Sequence, residues 1–109
     1  MHELVENALR ELADVERQRR LWLSSGGEVS SFIEVGSRLW DDSGLADALD
    51  GPHGAYSAEI DGQLRALRTQ LVRIDFARPP EEILEDPRLQ RARSIASLIL
   101  QSLSPQGSQ

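Results

Sequence analysis

The 109-residue sequence has no cysteine, no lysine and only 5% aromatic residues. Without cysteine the chain forms no disulfide, binds no metal through thiolates and performs no thiol chemistry. No run of about 18 apolar residues is present, so no segment of the sequence is long enough to span a bilayer. The 12 cationic residues, all arginine, are outnumbered by 18 acids, giving a net charge of −6. This balance disfavours a protein that binds nucleic acid through bulk positive charge.

Length and composition predict one domain, over residues 1–103, followed by a flexible tail at 104–109. Apolar residues make up 39% of the chain, which is enough for a modest core. The first six residues include two glutamates and no apolar block follows them, a pattern typical of neither a secretory signal nor a transit peptide. We therefore expect a cytoplasmic location.

The negative charge is concentrated in the middle of the sequence. Residues 1–27 carry a net charge of −1, residues 28–62 carry −7, and residues 63–109 carry +2. Four aspartates of the middle segment are predicted to contact a basic protein partner: Asp41, Asp42, Asp47 and Asp50. The alternatives are a solvated acidic face and a bound cation, although Asp41–Gly44 lacks the alternating oxygen ligands of an EF-hand calcium loop.

The apolar spacing predicts an all-α fold, since no stretch alternates with the period of a strand. Residues 3–23 have the periodicity of one long helix, and Ser31 with Glu34 forms a capping box at the start of a second. Ser57 is the predicted N-cap of a third, and Asp86 followed by Pro87 marks a last helix extending to about residue 103. With two short helices between them, four main helices suit a small antiparallel bundle.

The third helix has two apolar faces. Its core seam is spaced by four and three residues: Ile60, Leu64, Leu67, Leu71 and Ile74. Val72 and Phe76 point more than about 100° away from this seam on a helical wheel. These two residues either pack beneath the last helix or form the contact surface for a homodimer or another protein.

Arg19 and Glu16 are charged residues that fall within the apolar arc of the first predicted helix. A charge that faces a core must be paired or must extend past it. Arg19 either extends around Trp22 at the end of the bundle, forms a buried ion pair, or contacts an anionic ligand through its planar guanidinium group.

Enzymatic chemistry has little support in the sequence. Three acid pairs resemble in spacing the metal-binding pairs of helical pyrophosphohydrolases: Glu3 with Glu6, Glu11 with Asp14, and Glu82 with Glu85. The first two pairs share one helix and mostly lie outside its apolar arc, so they would face water rather than a pocket. His53 lies in a turn without a recognisable nucleophile motif, and no metal site or cofactor is predicted. We expect a protein-interaction or regulatory module, possible forms being a homodimer and an acidic inhibitor or immunity-type protein. The alternative is a metal- or ligand-dependent enzyme that uses helical carboxylates.

Overall fold

The computed structural model describes residues 2–23 and 31–103. Within them the chain forms seven α-helices and one π-helical turn, and no β-strand. These are α1 (His2–Ala13), α2 (Val15–Trp22), α3 (Phe32–Ser37), the π-helical turn (Arg38–Asp42), α4 (Leu45–Asp50), α5 (Ala58–Val72), α6 (Pro80–Leu84) and α7 (Pro87–Leu103). The predicted all-α class is confirmed. The antiparallel order of a bundle stays a prediction, and the predicted tail lies outside the described residues.

The prediction of one continuous helix over residues 3–23 is wrong, because the helix is interrupted at Asp14. This residue adopts an extended conformation, and its side chain accepts a hydrogen bond from the Arg17 backbone amide. Asp14 is thus the N-cap of α2, which begins a new helix with its own phase. A single helical wheel drawn over residues 3–23 therefore misplaces the side chains after residue 14.

The other predicted helix starts agree with the structure. Ser31 and Ser57 each accept a hydrogen bond from the backbone amide three residues later, at 3.0 and 3.1 Å. The Asp86 carboxylate accepts from the Arg88 amide at 2.8 Å at the start of α7. Its carboxylate also pairs with Arg78 and with Arg88, although Asp86 itself is buried. Each cap satisfies amides that the first helical turn leaves unpaired.

The core lies where α7 packs against both α1 and α5. The predicted seam of α5 is confirmed, since Leu64, Leu67 and Leu71 are buried and face this core. Ile74 is also buried, although α5 ends at Val72 and the chain turns before it reaches Phe76. From α1, Val5, Leu9 and Leu12 fill the opposite side.

Candidate functional site

An apolar groove of about 500 Å³ lies between the α3 side of the molecule and the end of α5. Its first wall comes from α3 and the π-helical turn, and its second from the last turns of α5 and the loop that follows. The lining includes Ile33, Gly36, Trp40, Asp41, Arg68, Leu71, Val72 and Phe76. The groove thus joins two segments that are far apart in the sequence, residues 32–41 and residues 68–76.

Three large apolar side chains of this groove remain in solvent. Ile33 is 56% exposed, Val72 is 72% exposed and Phe76 is 62% exposed. Scattered apolar residues are normal on protein surfaces, but three that line one concavity are typical of a binding surface. Of the two sequence-based interpretations of Val72 and Phe76, packing beneath the last helix does not agree with these exposures.

Phe76 is held outward by the geometry of its own loop. The Asp75 carboxylate accepts a hydrogen bond from the Ala77 amide at 3.0 Å, and the Asp75 carbonyl accepts from the Arg78 amide at 3.3 Å. This turn orders the backbone around Phe76 without burying its ring. The ring also borders a second, smaller cleft of about 150 Å³ beside Trp22 and Phe32. Phe76 is therefore a ridge between two depressions.

The π-helical turn sets the direction of the residues on the first wall. Within it Leu39 is buried in the core, while Trp40 and Asp41 line the groove. The turn ends at Ser43, whose hydroxyl donates to the Leu39 carbonyl at 2.5 Å and accepts from the Leu45 amide at 3.1 Å. Short π-helical segments occur preferentially at functional sites. Here the segment gives one helical stretch both a core face and a groove face.

Two opposite charges line the groove without neutralising each other. The Arg68 guanidinium carbon lies 5.7 Å from the centre of the Trp40 ring, in a cation–π contact. Asp41 extends from the π-helical turn and is exposed. Across the part of the chain that the structure describes, neither residue forms an ion pair. Both charges are therefore available to a bound molecule.

Gly36 gives the first wall an open position. A β-carbon built on Gly36 meets nothing within 4 Å, and the residue lies inside α3 with an ordinary helical backbone. Glycine in a helix interior costs about 0.5–1 kcal/mol relative to alanine. No close neighbour requires glycine here, so its consequence is a bare stretch of helix backbone facing the groove.

The predicted partner-binding residues divide into two groups. Asp41, Val72 and Phe76 meet at the groove. Asp42, Asp47 and Asp50 are exposed but do not line it. Within the described chain, these three carboxylates also form no ion pairs, so the negative charges of Asp42 in the π-helical turn and of Asp47 and Asp50 in α4 are not neutralised.

Arg19 and Glu16 are both exposed, so the alternative of a buried ion pair does not apply to them. The reason is the break at Asp14, which rotates the face that α2 turns to the core. Contact of Arg19 with an anionic ligand stays a prediction. Arg19 does lie near Arg93: burial lowers the pKa of the Arg93 guanidinium and the charge of Arg19 lowers it further, while Glu85 opposes the shift.

The buried polar groups of the N-terminal helices are Glu11 and Gln18. Glu11 accepts a hydrogen bond from the Trp22 indole at 2.8 Å and pairs with Arg38 at 2.9 Å. Sequence reasoning placed Glu11 in an exposed acid pair with Asp14, although Glu11 lies three residues after Ala8 on α1 and both residues are buried. Because protein donors contact both of its carboxylate oxygens, Glu11 is not free to hold a metal.

The Gln18 amide joins three helices. Its nitrogen donates to the carbonyls of Glu11 and Leu12, and its oxygen accepts from Arg93 at 2.9 Å. Arg93 also donates to the Leu84 carbonyl at 3.1 Å. The buried amide thus satisfies carbonyls at the end of α1 and fixes α7 against it. The sequence pattern does not indicate this role of Gln18, because its partner Arg93 is 75 residues away.

The described residues contain no group of three or more histidine, cysteine, aspartate or glutamate side chains arranged to hold a metal ion. His53 is exposed in its turn, and His2 stacks edge-on against Tyr56 with ring centres 4.6 Å apart. Over the same residues, no helix combines the length and the apolar character needed to cross a membrane.

No protein-family model, curated protein sequence or solved structure matches this chain. The groove and its surrounding charges are therefore the features from which a function can be argued.

Proposed function

We propose that this protein is a small cytoplasmic docking module that binds another polypeptide in the groove between the π-helical turn and the end of α5. The observation that carries the proposal is the presence of Ile33, Val72 and Phe76, each more than half exposed, around one concavity. Apolar grooves on helical proteins receive the apolar face of a partner segment, whose anchors recur at helical spacing.

The magnitude of this contact can be worked from the three side chains. Fully burying a side chain of this kind contributes about 1.5–3 kcal/mol, and these are already partly buried. Covering their remaining surface then contributes about 1–2 kcal/mol each, or about 3–6 kcal/mol in all. Association costs about 4–15 kcal/mol. A stable partner must therefore also contact the polar rim of the groove.

A peptide-display selection on immobilised wild-type protein tests the proposal. We expect selected peptides to carry apolar residues at helical spacing and to lose at least about tenfold in affinity for Phe76→Asp. The matched control is Leu98→Asp on α7, because Leu98 is 52% exposed but does not line the groove. Peptides that bind Phe76→Asp as tightly as the wild type would contradict the proposal.

A second candidate is an inhibitor or immunity-type protein that covers a basic partner. It is favoured by the exposed carboxylates of Asp42, Asp47 and Asp50, which form no ion pairs within the described residues. The same selection separates the two candidates. An inhibitor of this kind selects arginine- and lysine-rich peptides whose binding weakens with added salt and with Asp42→Arg combined with Asp47→Arg.

A further inference from the structure

We infer that the polypeptide bound in the groove is a second copy of this chain, arranged about a two-fold axis that runs parallel to the groove. The inference rests on the proposed docking function and names its partner. A two-fold dimer uses the same surface patch on both subunits, so that patch must be complementary to itself. The shape, the charges and the open glycine of the groove each bear on this condition.

The shape of the patch supplies both halves of a contact. Val72 and Phe76 protrude from the second wall, while the concavity lies between them and the first wall. When two copies face each other about this axis, the Val72 and Phe76 side chains of one copy lie against the first wall of the other, at the edge of its concavity. The two-fold operation repeats this contact, so that all the exposed apolar residues of the patch are covered at once.

The charges select the direction of the axis. Asp41 extends from the first wall and Arg68 from the second, and neither forms an ion pair within the described chain. When the axis runs parallel to the groove, the first wall of each copy faces the second wall of the other. Asp41 of each copy then lies opposite Arg68 of the other copy, which gives two such contacts in the dimer. An axis across the groove would set like charges together. A partner of a single charge sign would leave Asp41 or Arg68 opposite a like charge.

Gly36 lets the two copies approach closely. Nothing lies within 4 Å of its β-carbon position, so the first wall leaves open space at this residue. An apolar side chain from the second wall of the other copy can therefore contact the α3 backbone there. Gly36→Glu fills this space and introduces a charge without meeting a neighbour inside its own chain.

Analytical ultracentrifugation of the full chain, over a dilution series from about 200 µM to about 1 µM, tests the inference. This series covers the dissociation constants of weak protein interfaces. We expect the wild type to sediment at twice the single-chain mass of 12.1 kDa at the upper concentrations. Asp41→Arg, Arg68→Asp and Gly36→Glu should each raise the dissociation constant at least about tenfold. Leu98→Asp should leave it unchanged, and far-UV circular dichroism confirms that each variant is folded.

The decisive measurement is an equimolar mixture of Asp41→Arg with Arg68→Asp. Each variant alone sets like charges together, whereas a mixed dimer restores two opposite-charge contacts, so the mixture should regain the wild-type dissociation constant. A wild type that stays at 12.1 kDa throughout, or a mixture that stays monomeric while both variants are folded, overturns the inference. If displayed peptides still bind the groove of a monomeric wild type, the docking function stands and only the second copy is excluded.

Discussion

Three glycines give a graded test of how the loop before α5 is held. Gly62 lies within α5 with open space at its β-carbon position. Gly44 has a φ of 79° and the same open space. Gly54 has a φ of 70°, and a β-carbon at this position would clash with the Asp61 carboxylate. Alanine at these positions separates backbone conformation from steric contact, because the added methyl group is the same in each case.

The expected free energies of unfolding follow from these three environments. Gly62→Ala stabilises the protein by about 0.5–1 kcal/mol, because alanine is the better helix former. Gly44→Ala destabilises it by about 1–2 kcal/mol, the cost of a left-handed conformation. Gly54→Ala incurs that cost and also displaces Asp61, which accepts hydrogen bonds from the amides of Ala55 at 3.0 Å and Tyr56 at 2.9 Å.

The Asp61 bonds make Gly54→Ala the most severe of the three changes. A hydrogen bond to a charged group contributes about 1.5–3 kcal/mol, so losing two adds about 3–6 kcal/mol. The total of about 4–8 kcal/mol is a large part of the 5–15 kcal/mol that is typical of a domain. Urea unfolding followed by circular dichroism measures all three variants on one scale.

A double-mutant cycle identifies the contact responsible. In an Asp61→Ala background the steric conflict is absent, so Gly54→Ala should cost only the 1–2 kcal/mol expected of Gly44→Ala. The coupling between residues 54 and 61 is then about 3–6 kcal/mol. If Gly54→Ala is no more harmful than Gly44→Ala, or if the two changes are additive, the contact with Asp61 does not determine the loop conformation.

Three further changes test the buried polar groups. Glu11→Gln should destabilise the protein by about 1–3 kcal/mol, because the ion pair with Arg38 is lost, and should alter Trp22 fluorescence; an unchanged urea midpoint would contradict this role. For Asp86, burial raises the carboxyl pKa, but the Arg88 amide and the guanidinium groups of Arg78 and Arg88 outweigh it and lower the pKa below 3.8. The ionised Asp86 therefore contributes its full stabilisation above the carboxyl pKa of the unfolded chain, and this contribution is lost as the pH falls through the pKa of the folded state. Asp86→Asn, which keeps the cap, should reduce the loss of stability at acidic pH. An unchanged loss of stability would contradict this role of Asp86. Burial, followed by the charges of Glu6 and Asp61, raises the pKa of Tyr56 above 10.0, so the midpoint of its absorbance titration should be shifted upward; an ordinary midpoint would refute this. Tyr56→Phe should not destabilise the protein, because the buried hydroxyl has no hydrogen-bond partner among the described residues.

Local chemistry explains which parts of the fold were predictable. The caps at Ser31, Ser57 and Asp86 act within three residues, so the sequence displays both partners of each hydrogen bond. The α5 seam is predictable for a similar reason, since its apolar spacing repeats over four turns. The interruption of the helix at Asp14 was not predicted, because aspartate occurs both on helix surfaces and at N-caps. The residues around Asp14 are otherwise good helix formers.

The groove was predictable only from one side. Val72 and Phe76 stood out because their phase differs from that of the α5 seam, but nothing in the sequence indicates that Ile33 and Trp40 lie opposite them. That pairing depends on the π-helical turn, which changes the phase of the helix by means that apolar spacing does not reveal. The ion pair of Glu11 with Arg38 depends on the same long-range packing.

The Gln18–Arg93 hydrogen bond has a consequence for synthesis of the chain. Residues are added at about 5–20 per second, so Arg93 follows Gln18 by about 4–15 s. During that interval the Gln18 oxygen lacks its hydrogen-bond donor Arg93, and α1 lacks the α7 surface against which its apolar face packs. The N-terminal helices therefore complete their tertiary structure only after the C-terminal helix has emerged, so a stalled chain lacking α7 exposes Leu9 and Leu12 to chaperones.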